Sequence, residues 1–137
     1  MGFPLYALLG DVAPKISNES LATDLRDMFG SDSNFSLEFE KLPFKKNKSL
    51  ALRWGKWRVS IAYEEGADVL ADSAEIQKIV GSSAPYDLSG IGRRIRAVFA
   101  NDPQREHTNE IVRVMDFLRK IEGAVLYDAK QKELVVL

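Results

Sequence analysis

The sequence predicts an α+β fold, with a mainly antiparallel sheet and two or three helices packed on one face of it. Segments that alternate apolar and polar residues indicate half-buried strands, and most of them are joined by short turns, which is typical of antiparallel neighbours. Apolar residues at helical spacing mark the helices between them. No repeat, linker or change of composition divides the 137 residues. Residues 1–137 are therefore expected to form a single domain.

The clearest local feature is a tight hairpin over residues 50–63. Apolar residues alternate with small or polar ones on both sides of Gly55 and Lys56. Many of the apolar residues are β-branched or aromatic, as strand residues often are. Glycine at the first central position suits a type II′ turn, whose twist matches that of the flanking strands. We therefore expect a two-residue turn with Trp54 and Trp57 at the tip of the hairpin.

The N-terminal part of the chain predicts a strand, a helix and a second strand. Residues 3–9 form a nearly continuous apolar run, which is typical of a strand buried on both faces. Ser17 or Asn18 caps a helix over residues 19–29, where leucine, methionine and phenylalanine recur at helical spacing. Residues 35–41 alternate again and predict a strand with one face in solvent.

The second half of the chain predicts two helices and three strands. Asp72 followed by Glu75 resembles a capping box, and a short helix should run from there to Gly81. Val69 and Leu70 either extend this helix backward or anchor the loop before it. The remaining elements are a strand, the best amphipathic helix in the chain and two final strands: 94–100, 111–121, 124–127 and 133–137. The resulting order is β-α-β-β-β-α-β-α-β-β. A ferredoxin-like split β-α-β unit near one end would fit this order.

The composition excludes several kinds of site. The chain has no cysteine, which excludes disulfides, thiolate nucleophiles and cysteine-bound metals. Its net charge of −1 provides no overall attraction to nucleic acid or to a membrane surface. No apolar run approaches the ~18 residues that span a bilayer. We expect a cytoplasmic protein that contacts no membrane and needs no cofactor or metal.

Residues 41–58 form the first candidate binding segment. They contain seven basic residues, no acidic residue and both tryptophans of the chain. Cationic side chains bind phosphates and aromatic rings stack on unpaired bases, so the mixture would suit single-stranded nucleic acid. The alternative is structural, because lysine is common on exposed sheet edges and tryptophan is more often buried. The candidate residues here are Lys45, Lys46, Lys48, Arg53, Trp54, Lys56, Trp57 and Arg58.

A second candidate surface involves Arg94 and Arg96, which share one face of their predicted strand. If that strand neighbours the hairpin, Arg53 and Arg58 would join them in one positive surface. Such a surface would suit an anionic ligand or an acidic protein partner. The alternative is an ordinary solvated sheet face, on which Glu38 and Glu40 pair with arginines on neighbouring strands.

His107, the one histidine of the chain, carries the remaining hypothesis. It precedes the last long helix and lies near Asp102, Glu106 and Glu110 in the sequence. A histidine with a carboxylate partner can act as a general base, so a small enzyme centred on His107 is an alternative. No nucleophile motif accompanies it. The sequence therefore predicts no catalytic residue.

The last third of the chain resembles a group of known proteins. From Arg94 onwards it runs strand, turn, amphipathic helix, then residues 123–128 (GAVLYD), a polar turn and a final strand. This pattern resembles the C-terminal half of small uncharacterised bacterial α+β proteins, some of which are immunity-like. The resemblance implies a protein that acts by binding another protein. We therefore expect a non-enzymatic interaction protein, with a protein partner favoured over nucleic acid and a homodimer as one alternative for its oligomeric state.

Overall fold

A computed structural model describes residues 2–41 and 48–135. Within this part of the chain, seven antiparallel strands form one sheet and three helices pack against it. The α+β class predicted from the sequence is confirmed. The elements are β1 (Phe3–Leu9), α1 (Asn18–Phe29), β2 (Phe35–Lys41), β3 (Lys48–Trp54), β4 (Trp57–Glu65), α2 (Ala67–Val80), β5 (Arg93–Phe99), α3 (Thr108–Arg119), β6 (Ala124–Asp128) and β7 (Glu133–Leu134).

The strand order in the sheet is β2-β3-β4-β5-β1-β6-β7. The first strand lies inside the sheet, between β5 and β6, which explains why its sequence is apolar on both faces. Because β5 and β6 are both antiparallel to β1, they run in the same direction. The unit β5-α3-β6 is therefore a split β-α-β with β1 between its strands, as the element order suggested.

The first face of the sheet carries the main core. Helices α1 and α3 both contribute to it, through residues such as Leu25 and Leu118. Alternate residues of the inner strands meet them, and Ile61, Ile95 and Phe99 are completely buried. Burying each such side chain stabilises the fold by about 2 kcal/mol. Two helices thus share one face, as the sequence predicted.

The second face of the sheet is covered over only part of its area. Helix α2 packs there and, with the loop that follows it, closes a smaller apolar cluster. This cluster joins Leu8 and Tyr127 of the sheet to Ile76 of α2 and to Leu88 and Ile91 of the loop. The third helix therefore lies on the opposite side of the sheet from the other two.

The predicted hairpin is confirmed, with β3 and β4 joined by Gly55 and Lys56. Gly55 has a φ of +64°, whereas Lys56 has no positive φ, as a type II′ turn requires. Trp54 and Trp57 face each other across the first pair of the ladder. A side chain at position 55 would meet no neighbouring atom, so the glycine is there for its backbone conformation.

The starts of the first two helices differ in how well the sequence predicted them. Ser17 caps α1, and its hydroxyl accepts a hydrogen bond from the backbone N–H of Ser20, as expected. Helix α2, in contrast, begins at Ala67, so the proposed capping box at Asp72 is wrong and the helix extends backward through Val69 and Leu70, which was the alternative. Gly66, with a φ of +121°, turns the chain directly from β4 into the helix. Asp72 lies inside α2 and binds an arginine of β5 instead.

Candidate functional site

The part of the second face that α2 does not cover is the candidate functional site, and we call it the open patch. It spans β2 to β5, and its residues from β3 to β5 are mostly half-buried, in contrast to the buried residues that alternate with them. Cross-strand register places the following residues together on it: Glu38, Glu40, Ala51, Arg53, Arg58, Ser60, Ala62, Arg96 and Val98. The patch thus combines small or apolar residues in its middle with three arginines and two glutamates.

Arg53 and Arg58 lie directly opposite each other on the hairpin. Like charges in such a position repel, and Glu40 provides the opposite charge. Its Oε1 accepts a hydrogen bond from Arg53 at 3.2 Å and its Oε2 accepts one from Arg58 at 2.6 Å. The hydrogen bond from Arg58, with the charges of both arginines, holds the pKa of Glu40 below its usual value against the effect of desolvation.

Arg96 lies on the same face of β5, opposite Ala62 on one side and Tyr6 on the other. The residue is half-buried, and an arginine at this level of burial can cover its aliphatic stem on apolar surface. Among residues 2–41 and 48–135, its side chain makes no hydrogen bond or ion pair. Such a cation is well suited to bind an external carboxylate, because its guanidinium group offers two parallel donors.

Arg94 is two residues away on the same strand face, but its surroundings are different. Its guanidinium donates hydrogen bonds to Glu64 at 2.9 Å and to Asp72 of α2 at 2.7 Å, and it lies 4.4 Å from the centre of the Tyr6 ring. Desolvation would lower the pKa of Arg94, but the two carboxylates outweigh it and raise the pKa. Only 7% of the residue is exposed. Arg94 therefore fastens α2 to the sheet and is not part of the open patch.

The two tryptophans are core residues, which corrects their assignment to a binding surface. They lie on the first face of the sheet, opposite to Arg53 and Arg58, and are 6% and 7% exposed. Both indole N–H groups are satisfied internally, by Asp32 for Trp54 and by the backbone oxygen of Ala100 for Trp57. Neither ring is displayed for stacking on a nucleotide base. Sequence alternation placed them on one face provided that the turn keeps register, but it could not show which face is covered.

Among the residues that the structure describes, no lysine of the basic segment is placed on the patch. Lys45 and Lys46 lie outside the described residues, as does the side chain of Lys48, whose backbone pairs with that of Lys41 at the end of the β2–β3 ladder. Lys56 is exposed in the hairpin turn. The described residues thus place three of the ten candidate residues on the open patch, namely Arg53, Arg58 and Arg96.

His107 packs against the core rather than beside a reaction site. Its imidazole lies flat on the Trp57 indole, with the ring centres 4.4 Å apart and the planes 4° apart. Its Nδ1 is buried, 3.7 Å from an oxygen of Glu110, and its backbone N–H donates to Asp102. These contacts fix the start of α3, and they give no support to a catalytic role for the ring.

A shallow groove of about 340 Å³ lies between α1 and α3 on the first face. Met28, Phe117 and Ile121 line it, with Lys120 beside them. Its lining is mainly apolar, and no described acidic or nucleophilic side chain lines it. Among the described residues, no cluster of His, Asp and Glu could hold a metal ion, and no helix is long and apolar enough to cross a membrane.

Two acidic residues decide how the arginines behave, and the sequence indicated a role beside arginine for only one of them. Glu40 was considered as a general cross-strand partner, but in register it faces Ser49 and pairs along the sheet with Arg53 and Arg58. Asp72 was assigned to a helix cap and instead binds Arg94. The alternation of β2 did place Glu40 on one face of the sheet. Which arginines it pairs with depends on side-chain conformations, which the alternation does not predict. The sequence therefore contained a signal for Glu40 but none for Asp72.

Comparison with known proteins does not identify a relative. No protein-family model matches the chain, and neither a curated protein nor a solved structure matches it.

Proposed function

We propose that this chain is a non-enzymatic binding protein that docks an acidic segment of a protein partner on the open patch. The observation that carries the proposal is Arg96, a half-buried arginine whose side chain has no ionic or hydrogen-bond partner among the described residues. A carboxylate from outside would meet no internal competitor there, and its two oxygens could accept the two parallel donors of the guanidinium group.

The surroundings of Arg96 fit a protein partner better than a small molecule. Ala62, Ser60 and Val98 provide a flat area of small, half-buried side chains beside it. A partner backbone can approach such an area closely, and apolar contact there adds to the charge pairing. Arg53 and Arg58 extend the positive charge to the other side of this area. An immunity-like role, which the C-terminal resemblance implies, would be one form of this function.

Single-stranded nucleic acid is the weaker candidate. Stacking on aromatic side chains contributes much of the affinity for unpaired bases. Trp54 and Trp57, on which that hypothesis depended, are both buried. The remaining arginines would offer contacts to phosphate alone, and Glu40 already pairs with two of them.

The test is a binding titration of a short labelled peptide of alternating glutamate and alanine, at low salt. We expect measurable binding by the wild-type chain and about tenfold weaker binding by Arg96→Ala, because a hydrogen bond between charged groups contributes about 1.5–3 kcal/mol. Arg119→Ala is the matched control, since that exposed arginine lies on α3 on the other side of the sheet.

Three results would contradict the proposal. The first is equal affinity of the wild type and Arg96→Ala for the acidic peptide. The second is equal binding of a lysine–alanine peptide, which would show that charge plays no part. The third is tighter binding of single-stranded RNA than of the acidic peptide with no dependence on Arg96, which would favour the nucleic-acid hypothesis instead.

A further inference from the structure

The carboxylate of Glu40 pairs with two arginines of the open patch in the way that a carboxylate of a partner would. Each of its oxygens accepts a hydrogen bond from a different guanidinium group. In register, Glu40 faces Ser49, and Ala51, which is completely buried, lies between Ser49 and Arg53 on the same face. The long side chains of Arg53 and Arg58 therefore cover most of the distance to the Glu40 carboxylate, which joins the two arginines within the patch.

We propose that Glu40 is a built-in competitor for this surface, which the acidic partner displaces from Arg53 and Arg58 when it binds. This inference rests on the proposed function. The new element is that Glu40 partly neutralises the positive charge of the patch in the free protein. The partner must therefore present more than one carboxylate, one for Arg96 and at least one for the pair that Glu40 releases.

The exposure of this cluster allows such an exchange. The side chains of Arg53 and Arg58 are 38% and 35% exposed, and that of Glu40 is 24% exposed. Ion pairs at this level of exposure contribute roughly 0–1 kcal/mol each. Breaking them therefore costs little, and Glu40 can turn into solvent without opening the core.

The position of Glu40 in the sheet favours the same conclusion. It lies on β2, which forms one edge of the sheet and, within residues 2–41 and 48–135, pairs with β3 alone. Side chains on an edge strand have solvent beside them, so a displaced carboxylate needs no cavity to move into. By contrast, the acidic partners of Arg94 cannot be exchanged in this way, because α2 covers the guanidinium group and 9% of its side chain is exposed.

Glu38 offers a matched control for the test. It lies two residues before Glu40 on the same strand and the same face. It is exposed and makes no ion pair among the described residues. Glu38→Gln and Glu40→Gln therefore change the net charge of the patch equally, but only Glu40→Gln releases the two arginines.

The experiment measures the affinity of both variants for the glutamate–alanine peptide. If Glu40 competes with the peptide, Glu40→Gln should bind about fivefold more tightly than the wild type, and Glu38→Gln less than twofold more tightly. The additional gain should vanish when Arg58 is replaced as well, in the double variant Arg58→Gln, Glu40→Gln. Thermal unfolding of each variant, followed by circular dichroism, checks that the fold is retained.

The outcomes separate this inference from the proposed function. Equal gains for the two glutamate variants would overturn the competitor role, because net charge alone would then explain the effect. Weaker binding by Glu40→Gln would overturn it as well, since Glu40 would then organise the arginines for binding. In either case the dependence on Arg96 would still support the proposed function, whereas its absence would overturn the function itself.

Discussion

The second face of the sheet has two halves that differ in how their charges are satisfied. In the half under α2, Arg94 is held by two carboxylates and an aromatic ring and is almost fully buried. In the open half, Arg96 is half-buried and has no partner among the described residues. The two arginines are two residues apart on β5, and both side chains leave the sheet on the same side.

This difference shows that the presence or absence of helix α2 above a strand residue, rather than the strand itself, determines whether its charge is paired and buried. Both arginines follow the same alternation and belong to the same strand. Helix α2 brings Asp72 to one of them and excludes water there, which produces a structural anchor. Beyond the end of that cover, the side chain of Arg96 has no ion-pair or hydrogen-bond partner among the described residues. Two pairs of substitutions should separate the two halves, and a change of pH should then test the ion pairs of the open half, in order of decreasing effect.

The largest difference in stability between the halves is expected when an apolar side chain is shortened. Leu8 is completely buried under α2, whereas Val98 is half-buried on the open patch. Leu8→Ala should lower the free energy of unfolding by about 3 kcal/mol, because it removes buried methyl groups and leaves a cavity. Val98→Ala should lower it by about 1 kcal/mol or less. Urea denaturation measures both, and equal losses would mean that the open half is covered as well.

The second-largest difference in stability is expected between substitutions of the two arginines of β5. Arg94→Ala removes the charge that pairs with Glu64 and Asp72 and should cost about 2 kcal/mol of stability, less than for a fully buried pair because Asp72 is partly exposed. Arg96→Ala should change stability by about 0.5 kcal/mol or less. Urea denaturation with the same protein preparation tests this. A large loss for Arg96→Ala would show that it is a structural residue.

Acid should weaken the folded state through carboxylates whose pKa values are lowered by arginines. Hydrogen bonds from Arg113 to Asp32 and from Arg58 to Glu40 lower the pKa of each carboxyl from ordinary values of 3.8 and 4.5. Their contribution to stability is therefore complete above about pH 4.5 and is lost as the pH falls through the lowered pKa values. Glu40→Gln should reduce this dependence modestly, since its ion pairs are partly exposed. Thermal unfolding measures stability against pH for both proteins. The same pH dependence in Glu40→Gln as in the wild type would contradict a contribution of Glu40 to acid sensitivity.

Much of the fold could be predicted from the sequence because it depends on local patterns. Alternation identified the strands, and a glycine between two tryptophans identified the hairpin turn. The faces to which helices pack could not be predicted, since that depends on contacts between distant parts of the chain. For this reason Trp54 and Trp57 were assigned to a binding surface although α1 and α3 cover their side of the sheet.

The candidate site was predicted in part, for a related reason. The sequence placed Arg53, Arg58, Arg94 and Arg96 on one potential surface, and the register of β4 with β5 brings them to the same face. It could not show that Arg94 links α2 to the sheet whereas the other three arginines lie on the open patch. That division depends on which carboxylates reach them, and Asp72 comes from a helix whose start was misplaced by the capping-box pattern.

The central claim is that the open half of the second face is a docking surface, and amide chemical-shift mapping by NMR tests it most directly. The glutamate–alanine peptide is titrated into the labelled wild-type chain. We expect the largest shifts at residues 49–53, 58–62 and 96–98, with little change around Leu8 and α2. Shifts confined to the groove lined by Met28 and Ile121, or spread evenly over the surface, would contradict the claim.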